Sequence, residues 1–153
     1  MYVTKSVIEL LIRVIRYNDP PISIIEASSA PKNIKALASF RYAALLLDED
    51  KNAEAVALYR KVNQCRSCDA YLKDLAGLLM VKVWILDEAE SQKEDVVSRI
   101  EKIELSSQNL RYQVSEQKAW LEVKRNNLEN AYVIFESLAK NPEIDKTFKQ
   151  RAQ

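Results

Sequence analysis

The feature that most constrains this fold is an eleven-residue pattern that occurs twice. NAEAVALYRKV begins at Asn52, and LENAYVIFESL begins at Leu128, 76 positions later. Both copies place an alanine fourth and apolar side chains at the same offsets, with the spacing of one helix face. These matched positions are Ala55, Leu58, Tyr59 and Val62 in the first copy, and Ala131, Ile134, Phe135 and Leu138 in the second. Two helices with the same face are typical of a repeat built from stacked helical hairpins.

Small residues extend the pattern to a partner helix in each copy. Ala43 lies 12 positions before Ala55, Ala119 lies 12 before Ala131, and Gly77 lies 34 after Ala43. Small residues on both helices allow two helix axes to approach closely where they cross. An interval of about 34 residues is the length of a tetratricopeptide helix pair. The sequence therefore predicts antiparallel pairs that cross at Ala55 and Ala131.

Helical periodicity and turn residues divide the chain into nine segments without a convincing strand. Helices are expected at about 3–16, 22–27, 33–48, 54–62, 69–87, 96–103, 109–125, 128–140 and from 146. Asp69 and Asn109 are expected to be N-caps, because their side chains can accept a backbone N–H. The predicted fold is all-α: a tetratricopeptide-like array of about three helical hairpins with extra N- and C-terminal helices. An N-terminal helix and linker occupy 1–31, and the repeat domain occupies 32–153.

The composition argues against several kinds of chemistry. The chain has no histidine and one glycine, which excludes a Ser-His-Asp triad, a His-ligated metal site and a glycine-rich phosphate loop. Its net charge of +1 is not accompanied by a basic tract, which argues against a nucleic-acid partner. The acidic residues at 48–50 and 88–90 fall in turns, where charge is simply solvated. We expect no enzymatic activity, no cofactor and no metal.

Cys65 and Cys68 form C-R-S-C, the sharpest chemical signal in the chain. If the two cysteines were half of a zinc site, the other two ligands would have to come from a second copy of the chain. A redox dithiol normally belongs to a thioredoxin-like setting with strands, which this sequence does not predict. In an oxidising compartment the two cysteines could instead join as a small structural disulfide. A thiol-disulfide redox protein remains the alternative function.

The repeat also predicts a binding groove. Trp84 lies in a helix that is apolar nearly all round and is expected in the core. Trp120 follows the small residue Ala119, a position that faces the concave side of such repeats. The same count gives a groove formed by Phe40, Ala44, Asp74, Leu78, Lys82, Glu116, Trp120 and Lys124. Apolar anchors with a charged rim suit a peptide or helix of a protein partner. The helix at 3–16 could fill this groove itself, or the chain could dimerise through it.

The segments ALASFRYAALLLDEDKNAEAVALYRKV, YLKDLAGLLMVKVWIL and AWLEVKRNNLENAYVIFESLAKNPEIDKTFKQRAQ resemble the bacterial tetratricopeptide repeat-like family. That family includes the ancillary subunit of the Sec translocon and alpha-proteobacterial proteins of unknown function. The resemblance covers residue 34 to the C-terminus. It implies a non-enzymatic protein-interaction scaffold in secretion or envelope protein assembly, at the periplasmic face of the inner membrane. Membrane association would need a transmembrane helix, which this sequence does not contain; a cytoplasmic location is the alternative.

Overall fold

A computed structural model describes residues 22–87 and 96–144. Within these ranges the chain forms seven α-helices and one 3-10 turn, and no strand. The helices are α1 (Ile22–Glu26), α2 (Lys32–Asp48), α3 (Asn52–Asn63), α4 (Ala70–Leu86), α5 (Val96–Ser106), α6 (Arg111–Lys124) and α7 (Leu128–Lys140). The all-α prediction is confirmed for these residues. The helices expected at 3–16 and from 146 lie outside the described residues.

The chain divides into two compact units, Met1–Ala76 and Gly77–Gln153, and the division falls inside α4. In the first unit, α1 packs against α2, and α2 packs against α3. Ile24, Ala30 and Ala38 form a buried cluster that joins α1 to α2. In the second unit, α5 packs against α6, and α6 packs against α7.

Two tight turns close the helix pairs α2–α3 and α6–α7 in the same way. Asp50 and Asn126 hold positive φ angles of 59° and 60° and lie 76 positions apart. In each turn the following N–H reaches back five residues to a helix carbonyl: Lys51 to Leu46 at 2.8 Å and Asn127 to Glu122 at 2.9 Å. This is the Schellman arrangement, which satisfies carbonyls left free at a helix end. Aspartate and asparagine tolerate the left-handed conformation better than most residues, so both turns form without glycine.

The alanines expected at the helix crossings are buried. Ala43, Ala55 and Ala119 are 0% exposed, and Ala131 is 3% exposed. Because α2 packs against α3 and α6 against α7, these residues occupy the inner faces of the two pairs. The repeated pattern in the sequence therefore corresponds to a repeated local structure, from the buried alanine to the hydrogen bonds of the turn.

Two N-cap predictions had different outcomes. The Asp69 carboxylate accepts a hydrogen bond from the N–H of Tyr71 at 2.9 Å, so this cap is confirmed. Asn109 lies inside a 3-10 turn, Gln108–Leu110, and α6 begins only at Arg111. The Asn109 cap is therefore wrong, because the 3-10 turn already continues into the helix.

Trp84 occupies the core, as its position in an apolar helix predicts. Its side chain is 0% exposed, and the guanidinium of Arg99 lies over the ring at 5.4 Å from the centroid. Among the described residues, its indole Nε1 has no hydrogen-bond partner. Trp84 therefore contributes to packing and is not available as a surface contact.

A candidate binding pocket around Trp120

The second unit carries an apolar pocket where the end of α4 meets α6. Its residues are Lys82, Ile85, Leu86, Glu116, Gln117 and Trp120, and its volume is about 380 Å³. We call it the Trp120 pocket. Three of its six residues, Lys82, Glu116 and Trp120, belong to the groove that the sequence predicts. Helical spacing explains this, since 82 and 86 lie one turn apart on α4, as do 116 and 120 on α6.

Two apolar side chains of the Trp120 pocket are exposed. Trp120 is 42% exposed and Leu86 is 63% exposed, whereas Ile85 of the same pocket is 3% exposed. The ring of Trp120 packs edge-on against Phe135 of α7, with centroids 5.5 Å apart. This contact holds the indole in place while part of it remains open to solvent. A fixed, partly exposed aromatic ring loses little conformational entropy when a partner covers it.

The pocket also carries charge of both signs at its rim. Lys82 is exposed and Glu116 is half-buried, so a cation and a carboxylate flank the apolar floor. This arrangement resembles an interface with a desolvated centre and a polar rim. Binding is the chemistry that the arrangement supports.

The remaining residues of the predicted groove do not line this pocket. Leu78 is buried at 5% exposure, so it presents no surface to a partner, and Lys124 is exposed at the end of α6. Phe40, Ala44 and Asp74 belong to the first unit. There the ring of Phe40 packs against Tyr59, with centroids 6.1 Å apart.

Sequence reasoning missed a second apolar surface, on α5, α6 and α7. A groove of about 360 Å³ is lined by apolar side chains that include Val97, Leu121 and Val133. On the same helix as Val133, Leu128 and Tyr132 are 60% and 65% exposed. The sequence of α7 could have predicted this surface, because its apolar residues occupy the outer face of the helix as well as the face around Ala131. At the rim of this groove, Lys118 pairs with Glu104 and Arg125 pairs with Glu122.

Cys65 and Cys68 are joined by a disulfide, with Cα atoms 5.4 Å apart. They lie in the loop between α3 and α4, where Cys65 is half-buried and Cys68 is 8% exposed.

Among residues 22–87 and 96–144, no group of three or more acidic, cysteine or histidine side chains could hold a metal ion. No helix in these ranges has the length and apolar content needed to cross a membrane. Comparison with protein-family models, curated proteins and solved structures finds no match for the chain.

Proposed function

We propose that this chain is a protein-interaction scaffold that binds an apolar peptide or helix of a partner in the Trp120 pocket. The observation that carries the proposal is a fixed tryptophan, 42% exposed, beside a leucine that is 63% exposed. Tryptophan is enriched among the residues that dominate binding energy at protein interfaces. Lys82 and Glu116 at the rim would orient a partner that carries charges of opposite sign at matching positions.

The proposal includes a tetratricopeptide-like arrangement of the hairpins. Two helix pairs with the same 76-position register, the same turn hydrogen bonds and buried alanines support it. In such arrays each hairpin offers one helix face to ligands, and specificity comes from the side chains on that face. The α4 and α6 positions of the Trp120 pocket would serve as this face.

We propose that this scaffold lies at the periplasmic face of the inner membrane and acts in secretion or envelope protein assembly, which the resemblance to periplasmic repeat proteins supports. The Cys65–Cys68 disulfide is compatible with that location, because disulfides persist in oxidising compartments such as the periplasm. Protease added to spheroplasts is expected to degrade the protein. Protection until the inner membrane is lysed would favour the cytoplasmic alternative.

Binding is tested with Trp120→Ala and a matched control, Tyr132→Ala. Both changes remove an exposed aromatic ring from the second unit, but only Trp120 lines the pocket. A partner is identified by crosslinking and affinity capture with the wild type, and its affinity is then measured with purified proteins. Trp120→Ala should cost about 2 kcal/mol, roughly thirtyfold in Kd, whereas Tyr132→Ala should leave Kd unchanged. Equal losses in the two variants, with both still folded by circular dichroism, would show that the pocket is not the binding site.

A further inference from the structure

The Cys65–Cys68 disulfide lies in the wall of a concave, positively charged site in the first unit. This site, which we call the basic pocket, has a volume of about 500 Å³. Four cations line it together with the two cysteines: Lys32 and Lys35 of α2, Lys61 of α3, and Arg66 of the loop. No carboxylate is among its lining residues. Within the part of the chain that the structure describes, none of the four cations is ion-paired.

The two sulfur atoms differ in accessibility. Both cysteines line the basic pocket, but Cys65 is half-buried while Cys68 is only 8% exposed. The Cys68 Sγ lies 3.9 Å from the carbonyl oxygen of Lys32, so it lies against the start of α2. An external thiolate would therefore reach the Cys65 sulfur first, and Cys68 would be the leaving group.

The loop that carries the cysteines is tied to its neighbours by hydrogen bonds that do not involve the disulfide. The N–H of Asp69 donates to Asn33 Oδ1 at 2.9 Å, and Asn63 Nδ2 donates to the carbonyl of Lys73 at 2.9 Å. Asp69 is the acidic residue next to the cysteines in sequence, and its carboxylate caps α4 through Tyr71. The loop can therefore keep its position when the disulfide opens.

We propose that Cys65–Cys68 is a thiol-disulfide exchange site that oxidises a dithiol of a client protein. A client thiolate attacks the Cys65 sulfur, and the bond to Cys68 breaks with both of its electrons moving to the Cys68 sulfur. The second client thiolate then attacks the client sulfur of this mixed disulfide and releases Cys65. The client dithiol loses two electrons and two protons and becomes a disulfide, and the two cysteines gain them. This activity is independent of the Trp120 pocket.

The four cations are expected to increase the rate of thiol-disulfide exchange at this disulfide. The first step releases a thiolate at Cys68 and the second releases one at Cys65, and both residues line the basic pocket. Cations that line the same pocket would stabilise a thiolate against its neutral thiol. Exchange is faster when the leaving thiol has a lower pKa. A protein thiol can also be the attacking group, as it is in alkylation. Lowering the pKa of such a thiol by one unit from about 8.5 raises its thiolate fraction at neutral pH roughly eightfold. The thiolate is then less nucleophilic, so the net gain in reaction rate is about threefold.

The test compares Lys35→Gln/Arg66→Gln with the control Arg41→Gln/Lys102→Gln. Both remove two positive charges at exposed or half-buried positions, but Arg41 and Lys102 do not line the basic pocket. One readout is the rate at which dithiothreitol reduces the oxidised full-length protein at neutral pH. The other is the rate of iodoacetamide alkylation of Cys65 in the Cys68→Ala background, where a single thiol reports its own reactivity.

We expect the basic-pocket variant to be alkylated about threefold more slowly than the wild type. Its disulfide should also be reduced more slowly, because its leaving thiol has a higher pKa, and the control should match the wild type in both assays. A wild-type protein that also oxidises a reduced two-cysteine peptide to its disulfide would support the activity directly. Equal rates in the wild type and both variants would overturn the proposal, since the cations would then have no influence on the sulfurs. The proposal would also be overturned if dithiothreitol reduced the disulfide only after the protein had unfolded, because the disulfide would then be purely structural.

Discussion

Replacing Ala55 by leucine tests the helix crossing on which the repeat interpretation depends. Ala55 is 0% exposed on α3, and Ala43 is 0% exposed on α2, which packs against it. Leucine adds three carbons, which would contribute about 2 kcal/mol of stability if there were room to bury them. At a close crossing there is no such room, and overpacking costs about 1–3 kcal/mol instead. We therefore expect Ala55→Leu to lower the free energy of unfolding by that amount.

The control for this change is Ala57→Leu. Ala57 lies on the same helix but is exposed, so the same added carbons meet solvent, and stability should change by less than about 0.5 kcal/mol. Urea denaturation followed by far-ultraviolet circular dichroism measures both variants against the wild type. If Ala55→Leu matched Ala57→Leu, or stabilised the protein, α2 and α3 would not cross closely at Ala55.

Three further perturbations test local features of the fold. Asn126 has a φ of 60°, so the Asn126→Ala protein should be about 1 kcal/mol less stable than the Asn126→Gly protein, because alanine disfavours the left-handed conformation. Equal midpoints of urea denaturation for the two variants would contradict this turn geometry. Asp69→Ala should cost about 1 kcal/mol of stability and Asp69→Asn much less, because asparagine also caps helices; thermal unfolding of the two variants would show equal losses if the cap were unimportant. Burial raises the pKa of Tyr59, so its stabilising contribution is complete below the pKa of an unfolded tyrosine, about 10, and is lost as pH rises through the folded pKa. Tyr59→Phe should therefore lose less stability than the wild type as the pH rises above about 10. Equal losses of stability by the two proteins, measured by urea denaturation at each pH, would contradict this.

The repeat was readable from the sequence because it depends on local periodicity. The alanines at 43, 55, 119 and 131 are all buried, as the intervals in the sequence predict. The turn at Asn126 and its equivalent at Asp50 were predictable as turns. Their positive φ angles were not, because a polar residue in a turn can adopt either sign of φ.

The binding surface was predicted only in part, because side-chain exposure depends on which helices pack together. Counting positions along each helix brought Lys82, Glu116 and Trp120 into one pocket. The same count put Leu78 in the groove, although it is buried. Counting also missed the basic pocket, since its cations come from two helices and a loop and form no tract in the sequence.

The central claim is that a partner binds in the Trp120 pocket, and site-specific photocrosslinking tests it most directly. A photoreactive phenylalanine analogue replaces Lys82, at the rim of the pocket, or Tyr132, which is 65% exposed outside it. On irradiation in cells we expect a discrete adduct from position 82, absent from position 132, that disappears when Trp120 is also changed to alanine. A product at twice the mass of the chain would identify a second copy as the partner. The claim would be contradicted if both positions gave the same adducts, or if the adduct at position 82 persisted in the Trp120→Ala protein.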